Sequence, residues 1–368
     1  MGRRVRVFVD LAGNLDASAW RRRNSEGTAP DEAPYGLNRM SDDDTMVAFR
    51  SPLSSPAALR VSRGVSGRAR GLEIVHAMAA MRDSTRRTAD VVLAMDERAG
   101  LPAVWVPGGA PVVSGLAWLE DPDDLDAAYR RAVVASTHRL AGAFTMCSAM
   151  VEPLTRNFGI RPERMHVVPF GVDERHFAAQ PWPLEPGTVF SVGDDPMRDH
   201  RTLVESVTLL RDRGVDVHLS LATLLPVAVP EDVGVVHRRR MDAAVREQYA
   251  RASVVAVALQ PTRQGSGLSV ILEAMASGRP VVATANPGLD MYVEHGVTGF
   301  LVPAGDPGAM AHAIRRLLED PETARAMGRA ARERVQARFT SAHMAAALRS
   351  VVHGVAQERA EARAKSSR

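Results

Sequence analysis

A single cysteine, Cys147, occurs in the 368 residues, so no intrachain disulfide can form. It sits in the apolar run Phe144-Thr145-Met146-Cys147-Ser148 and reads as a buried core thiol. The 11 histidines are scattered, and no Cys/His cluster has zinc-ligand spacing. No run of about 18 apolar residues is present, which argues against a membrane-spanning helix. The apolar start, Val5 to Val9, is cut by Asp10 too early for the apolar core of a secretory leader, so a cytoplasmic protein is expected. Lysine is nearly missing: Lys365 is the only one among 46 basic residues. The formal net charge is only +3, so the arginine content reads as coding bias and no nucleic-acid partner is expected. Neither G-x-G-x-x-G nor a P-loop follows any candidate strand, which disfavours dinucleotide and ATP-type sites.

What is present is an ordinary globular mix, 45% hydrophobic and 24% charged, long enough for two domains. Short apolar strands are expected at Val5–Val9, Asp90–Met95, Ala103–Val106 and Ala143–Cys147, with helical patterns such as Gly71–Met81 and Leu125–Ala135 between them. Alternation of this kind predicts an α/β protein with parallel sheets covered on both faces. A polar stretch with Gly and Pro fills Ala12 to Thr45. After the strand-and-turn segment Met165–Asp173, three prolines and a glycine between Ala178 and Gly187 read as a linker. The expected division is therefore an N-terminal domain over 1–173, a linker over 174–186 and a C-terminal domain over 187–340.

The second half repeats the pattern with strands near Val189–Val192, Val217–Leu221 and Val254–Leu259. A loop over Gly193–Asp199 leads to a helix carrying Leu203, Val207 and Leu210 and stopping at Gly214. Then Gln264-Gly265-Ser266-Gly267 feeds a helix with Leu268, Ile271, Leu272 and Met275 on one face, closed by Gly278 and Pro280 before the strand Val281–Thr284. A glycine-rich loop entering a helix N-terminus offers unpaired N–H groups and a positive dipole end, so a phosphate is expected near Gly267, Leu268 and Ser269. Tight turns use the same glycines. Glu273 lies in this apolar helix between Leu272 and Ala274, where an unpaired carboxylate would be costly. Ribose hydroxyls or a structural N–H or arginine partner would both satisfy it.

The run Ser266 to Thr284, with its Leu-Glu-Ala-Met core, resembles the signature of retaining GT-B glycosyltransferases of family four. The segments Pro287–Glu294 and Gly296–Val302, and Asp306-Pro307 and Asp320-Pro321 opening two helices, are similar to that family too. The resemblance spans about Met165 to Phe339 and is weak before it. It implies two Rossmann-like domains facing across a cleft, with the tail over 341–368 packing back on the first. It implies a nucleotide-diphosphate sugar donor, UDP- or GDP-linked, held by the second domain, and an acceptor hydroxyl on the first. The helix N-terminus, Gly267, Leu268 and Ser269, would bind the diphosphate, and Glu273 the ribose. Arg198 matches the family's basic diphosphate-gripping position and is the expected catalytic residue; Asp194 replaces an arginine often found after the glycine. The family's other glutamate, eight residues before Glu273, is here Gly265, so Gln264, Gly265 and Ser266 would face the donor sugar without a carboxylate. In place of the family's paired-glycine loop, Tyr35 and Gly36 within Pro34–Arg39 are the expected cleft loop; a plain surface turn fits them as well.

The resemblance thus implies a retaining, metal-independent transferase with no cofactor, of a kind that builds bacterial glycans, glycolipids or natural products. The missing carboxylate at 265 keeps open a nucleotide-sugar-binding protein with impaired catalysis. The Asp42-Asp43-Asp44 run has the Asp-x-Asp spacing of metal-dependent transferases but no strand before it, so a solvated loop is the better reading. The arginines from Arg60 to Arg70, and Arg238-Arg239-Arg240, fit either a solvated face or contact with an anionic ligand or acidic membrane surface. The second option would make a peripheral enzyme with a lipid acceptor. Nothing in the sequence points to a protein partner.

Overall fold

The computed structural model describes residues 3–13, 15–107, 109–119, 125–183 and 186–366. Within them the chain forms two compact units. The first takes residues up to Arg22, then Glu32–Pro169, and the chain from Met344 onward; the second takes Arg23–Asp31 and Phe170–His343. Leu184 and Glu185 of the expected linker lie outside the described residues, and the rest of 174–186 is counted with the second unit.

In the first unit the order is β1 (Val5–Asp10), α1 (Ala17–Ser25, its last three residues counted with the second unit), β2 (Thr45–Phe49), α2 (Pro56–Arg68), α3 (Ile74–Ala80), α4 (Ser84–Thr88) and β3 (Val91–Ala94). There follow α5 (Glu97–Ala103), β4 (Val112–Gly115), α6 (Ala127–Thr137), β5 (Gly142–Thr145), α7 (Val151–Phe158) and β6 (Met165–Val167). The strands pair in parallel in the order β2-β1-β3-β4-β5-β6. β3, β4 and β5 are buried at every residue, as a parallel sheet covered on both faces requires.

The expected strand at Ala103–Val106 is not one. Asp96 accepts the Arg98 N–H at 3.0 Å and caps α5, whose helical hydrogen bonding runs on to Ala103 and dissolves into turns through Val106. The strand is instead the apolar Val112–Gly115 that follows. The polar stretch before Thr45 contains α1, and β2 has no signal beyond five mixed residues.

The second unit contains β7 (Thr188–Val192), α8 (His200–Asp212), β8 (His218–Ala222), β9 (Gly234–His237), α9 (Val245–Arg251), β10 (Val254–Val257), α10 (Leu268–Ala276) and β11 (Val281–Thr284). β12 (Gly299–Val302), α11 (Pro307–Glu319) and α12 (Pro321–Arg338) complete it. Its sheet is also parallel, in the order β12-β11-β10-β7-β8-β9. Asp306 accepts the Ala309 N–H at 2.8 Å and Asp320 the Thr323 N–H at 3.0 Å, each with proline next, so both Asp-Pro pairs open helices. α12 lies so close to the turn after α10 that a Cβ on Gly328 would stand 2.2 Å from the Gly278 carbonyl oxygen. The last helix, α13 (Ser341–Ser366), continues into the first unit. There His353 bonds Thr45 at 2.8 Å and Arg359 donates to the Asp90 carbonyl at 3.0 Å.

Candidate functional site

In a doubly wound sheet, ligands collect beyond the carboxyl ends of the strands where the strand order reverses. In the second unit that point lies between β7 and β10. The loop after β7 is laced to the chain after β10: the Asp199 N–H donates to Ala258, the Gln260 N–H to Met197, and Arg198 bridges Leu259. Arg198 is thereby fixed at the reversal point, only 8% exposed.

Its guanidinium lies over Gly193, where a Cβ would come within 2.4 Å of Arg198 Nε, and within reach of Gly267, where a Cβ would stand 3.6 Å from Nη1. Nε and Nη1 are buried and have no protein hydrogen-bond partner, and the neighbouring Ser266 Oγ is in the same state. Burial pushes the Arg198 pKa down, against the attraction of Asp195, Tyr249, Glu273 and Asp194. A buried cation with unused donors is costly unless a ligand supplies an acceptor.

α10 is preceded by Gly267, whose φ of 78° is the left-handed value a glycine adopts freely, and no side chain caps the helix's first turn. Of the N–H groups there, that of Leu268 makes only a long bond, 3.4 Å, to the Gly265 carbonyl; beside the unsatisfied guanidinium, the donors at Arg198, Gly267, Leu268 and Ser269 form a corner that can receive an anion. Tyr249 donates its hydroxyl to Glu273 Oε2 at 2.8 Å, and Oε1 has no protein partner among the described residues. Burial raises the Glu273 pKa to about 7, although the Tyr249 hydrogen bond and the Arg198 charge oppose it.

Gln264 and Gly265 lie half-buried in the loop before α10. Asn286 secures that loop, accepting the Thr262 N–H at 3.3 Å and donating to the Gln260 carbonyl at 3.0 Å. A cavity of about 650 Å³ adjoins it, lined by Arg198, His200, Leu225, Val227 and Gln260 among others. Two members of the site, His200 and Tyr249, carry no signal of their own in the sequence. His200 Nε2 reaches both the Gly193 carbonyl at 3.1 Å and Thr223 Oγ1 at 3.2 Å.

Gly193→Ala tests the packing directly. Position 193 has φ +151°, and the added methyl group would displace the Arg198 guanidinium. The variant is expected to lose at least tenfold in affinity for a nucleoside diphosphate, read by calorimetry. Wild-type affinity would show that the arginine does not need that position.

The first unit's reversal point lies between β1 and β3. The loop after β1 carries one glycine, Gly13, whose N–H is held by Glu73 Oε1 at 3.1 Å. Asp10, at the end of β1, pairs with Arg50 at 2.7 Å inside the core. Tyr35 and Gly36 sit on a short 3-10 turn (Pro34–Met40) with left-handed φ of 59° and 67°. Tyr35 lies close enough to Asp96 for that carboxylate, after burial itself, to raise its pKa. A tyrosine held in left-handed backbone beside charged groups is the kind of strain found at binding sites. Asp42 ion-pairs with Arg349 at 2.8 Å at the start of β2, the wrong end of a strand for a metal-bound substrate. Among the described residues no cluster of three or more His, Cys, Asp or Glu could hold a metal ion.

Glu97 opens α5 and accepts two backbone N–H bonds, from Ala117 and Trp118, both at 3.0 Å. Burial, then Asp96, raises its pKa to about 7 from 4.5. A carboxyl whose folded pKa is raised stabilises the fold below about pH 4.5 and loses that contribution as pH rises through about 7. Glu97→Gln, which cannot ionise, is expected to gain on the wild type by about 3 kcal/mol between those two limits in urea unfolding. Parallel stability–pH curves would contradict this.

Residues 187–320 match the family model described as glycosyl transferases group 1. The D-inositol 3-phosphate glycosyltransferase of Pseudarthrobacter chlorophenolicus is 31% identical over 212 residues, covering 51% of this chain and 50% of that protein. That of Corynebacterium glutamicum is 32% identical over 230 residues, covering 55% and 54%. The chain thus spans about half the length of the curated relatives it matches. Among solved structures, sucrose-phosphate synthase from Thermosynechococcus elongatus superposes with a TM-score of 0.65 at 16% identity, covering 98% of this chain and 100% of the other. An Anabaena protein solved with UDP-glucose gives 0.65 at 16% identity over 96% and 99%.

Proposed function

We propose that this chain, which has the GT-B fold and carries a glycosyl transferases group 1 domain at residues 187–320, moves a sugar from a nucleoside diphosphate to an acceptor hydroxyl. The observation that carries the reading is Arg198: a buried guanidinium with two unused nitrogens, next to an uncapped helix start. A diphosphate would satisfy all of these donors at once. Glu273 Oε1 is left for a ribose hydroxyl. The Anabaena protein was solved with UDP-glucose, which supports a UDP-type donor. The two relatives are named for a phosphorylated inositol acceptor, which supports a polyol hydroxyl as the group attacked.

In this reading the acceptor oxygen bonds to the anomeric carbon on the face the nucleotide leaves, with retention. The bond from that carbon to the β-phosphate oxygen breaks, and the acceptor's proton passes to a phosphate oxygen. Arg198 and the α10 N-terminus stabilise the charge that grows on the departing diphosphate. Gly265 in place of a carboxylate leaves Gln264 and Ser266 to meet the donor sugar, which favours recognition by neutral hydrogen bonds. The same departure supports a second reading, donor binding with little turnover.

The positive charge at the diphosphate comes from protein groups, so the reaction needs no metal. Transfer from UDP- or GDP-sugars to a panel of polyols should proceed undiminished in excess EDTA. Loss of activity restored by Mn²⁺ would move attention to Asp42–Asp44. Donor binding without transfer to any acceptor would favour the second reading.

A further inference from the structure

Helix α2 buries only Ser62. Arg60, Val61, Arg63 and Arg68 are exposed along its other faces. α3 packs against it and leaves Ile74 and Met78 exposed, with Met81 and Arg82 exposed just past its end. Ile74, Met78 and Met81 are 37%, 62% and 41% exposed and Val61 is 58%, an unusual concentration of large apolar side chains in water. The buried contact of Ser62 Oγ with His76 Nδ1 at 3.2 Å ties the two helices together and sets which faces turn out.

The segment 51–82 contains five arginines and one acidic residue, Glu73. That carboxylate is turned inward, paired with His76 and accepting the Gly13 N–H. The segment therefore carries more positive charge than the whole chain's +3, and the remainder is net negative. Arg70 is paired with the exposed Asp126 at 3.3 Å, whereas Arg60, Arg63 and Arg68 have no acidic partner among the described residues. Beside the exposed Val61, Ile74, Met78 and Met81 they combine positive charge with apolar surface, which an anionic bilayer complements with negative headgroups over an apolar layer.

We propose that the α2–α3 pair is a membrane-docking face: its arginines meet anionic lipid headgroups, and Val61, Ile74, Met78 and Met81 enter the interfacial layer. The inference stands independently of sugar transfer. It is tested by sedimenting the full chain with phosphatidylcholine vesicles, with and without phosphatidylglycerol. Binding is expected only with phosphatidylglycerol, weakening as salt rises. The triple variant Arg60→Gln/Arg63→Gln/Arg68→Gln should bind about 10²-fold more weakly, about fivefold per arginine. Met78→Gln/Met81→Gln should also bind more weakly but keep the wild-type salt dependence. All these side chains are exposed, so each variant should melt as the wild type does. Equal binding to both vesicles, no binding to either, or undiminished binding by the triple variant would overturn the proposal. So would self-association lost in Met78→Gln without any vesicle binding, which would assign the face to a second copy.

Discussion

Arg198→Ala is expected to lower kcat by about 10²–10³ while the protein stays folded. The backbone around Arg198 is paired with the chain after β10, and its buried guanidinium lies against Gly193, so the side chain is placed before any ligand arrives. In the proposed transfer, charge grows on the diphosphate as the glycosidic bond breaks, and a preplaced cation gains most at that moment. The stability effect separates this role from a structural one. A buried arginine that served the fold would have its donors paired, and truncation would destabilise. Here Nε and Nη1 are unpartnered and burial already depresses the pKa, so the ligand-free alanine variant should melt at or above the wild-type temperature. Arg198→Lys should recover part of the rate, because charge returns without the planar fork. A folded Arg198→Ala enzyme with near-normal kcat would show that another group grips the diphosphate.

Glu273 should act on donor affinity, with a pH signature of its own. Its pKa of about 7 means that much of the population is protonated near neutrality. Ribose hydroxyls donate best to the ionised form, so a nucleotide must draw the proton off below that pH. Affinity is therefore expected to fall as pH drops through about 7, by up to tenfold per unit. Glu273→Gln should remove the pH dependence and weaken nucleotide binding by about 10- to 100-fold, with a smaller effect on kcat. In the proposed transfer the ribose contact changes little during the reaction, so binding should carry the loss. Calorimetric titration of UDP from pH 5.5 to 8 reads both effects. An unchanged slope in the glutamine variant would assign the titration to a different group.

Much of this site is legible in the sequence because its signal is local. Gly267, the apolar face of α10 and the closing Gly278 lie within a dozen residues, and helical spacing alone joins them. The two Asp-Pro pairs likewise announce helices through a cap and a fixed φ. The features that are not legible depend on contacts between distant segments. Nothing in the residues around Tyr249 reveals that its hydroxyl meets Glu273, 24 positions away. The need for Gly193 is visible only once Arg198 lies across it. β2 and β9 are four or five residues long with charged or polar members, so no alternation could separate them from loop. Ala103–Val106 reads as a strand, and is not one, because a short apolar run fits a helix end equally well. In the first unit, the Gly13 loop gives no signal because one glycine has no pattern; its role rests on Glu73, sixty positions on.

The central claim is that Arg198 and the start of α10 form a nucleoside-diphosphate site. Its most direct test is the melting temperature of the full chain with UDP, GDP and dTDP, run beside Arg198→Ala. At one hundred times its Kd, the right nucleotide should add about 2.7 kcal/mol to the wild type and much less to the variant. If no nucleoside diphosphate shifts the wild type at millimolar concentration, or if the variant shifts equally, the site assigned here is not the donor site.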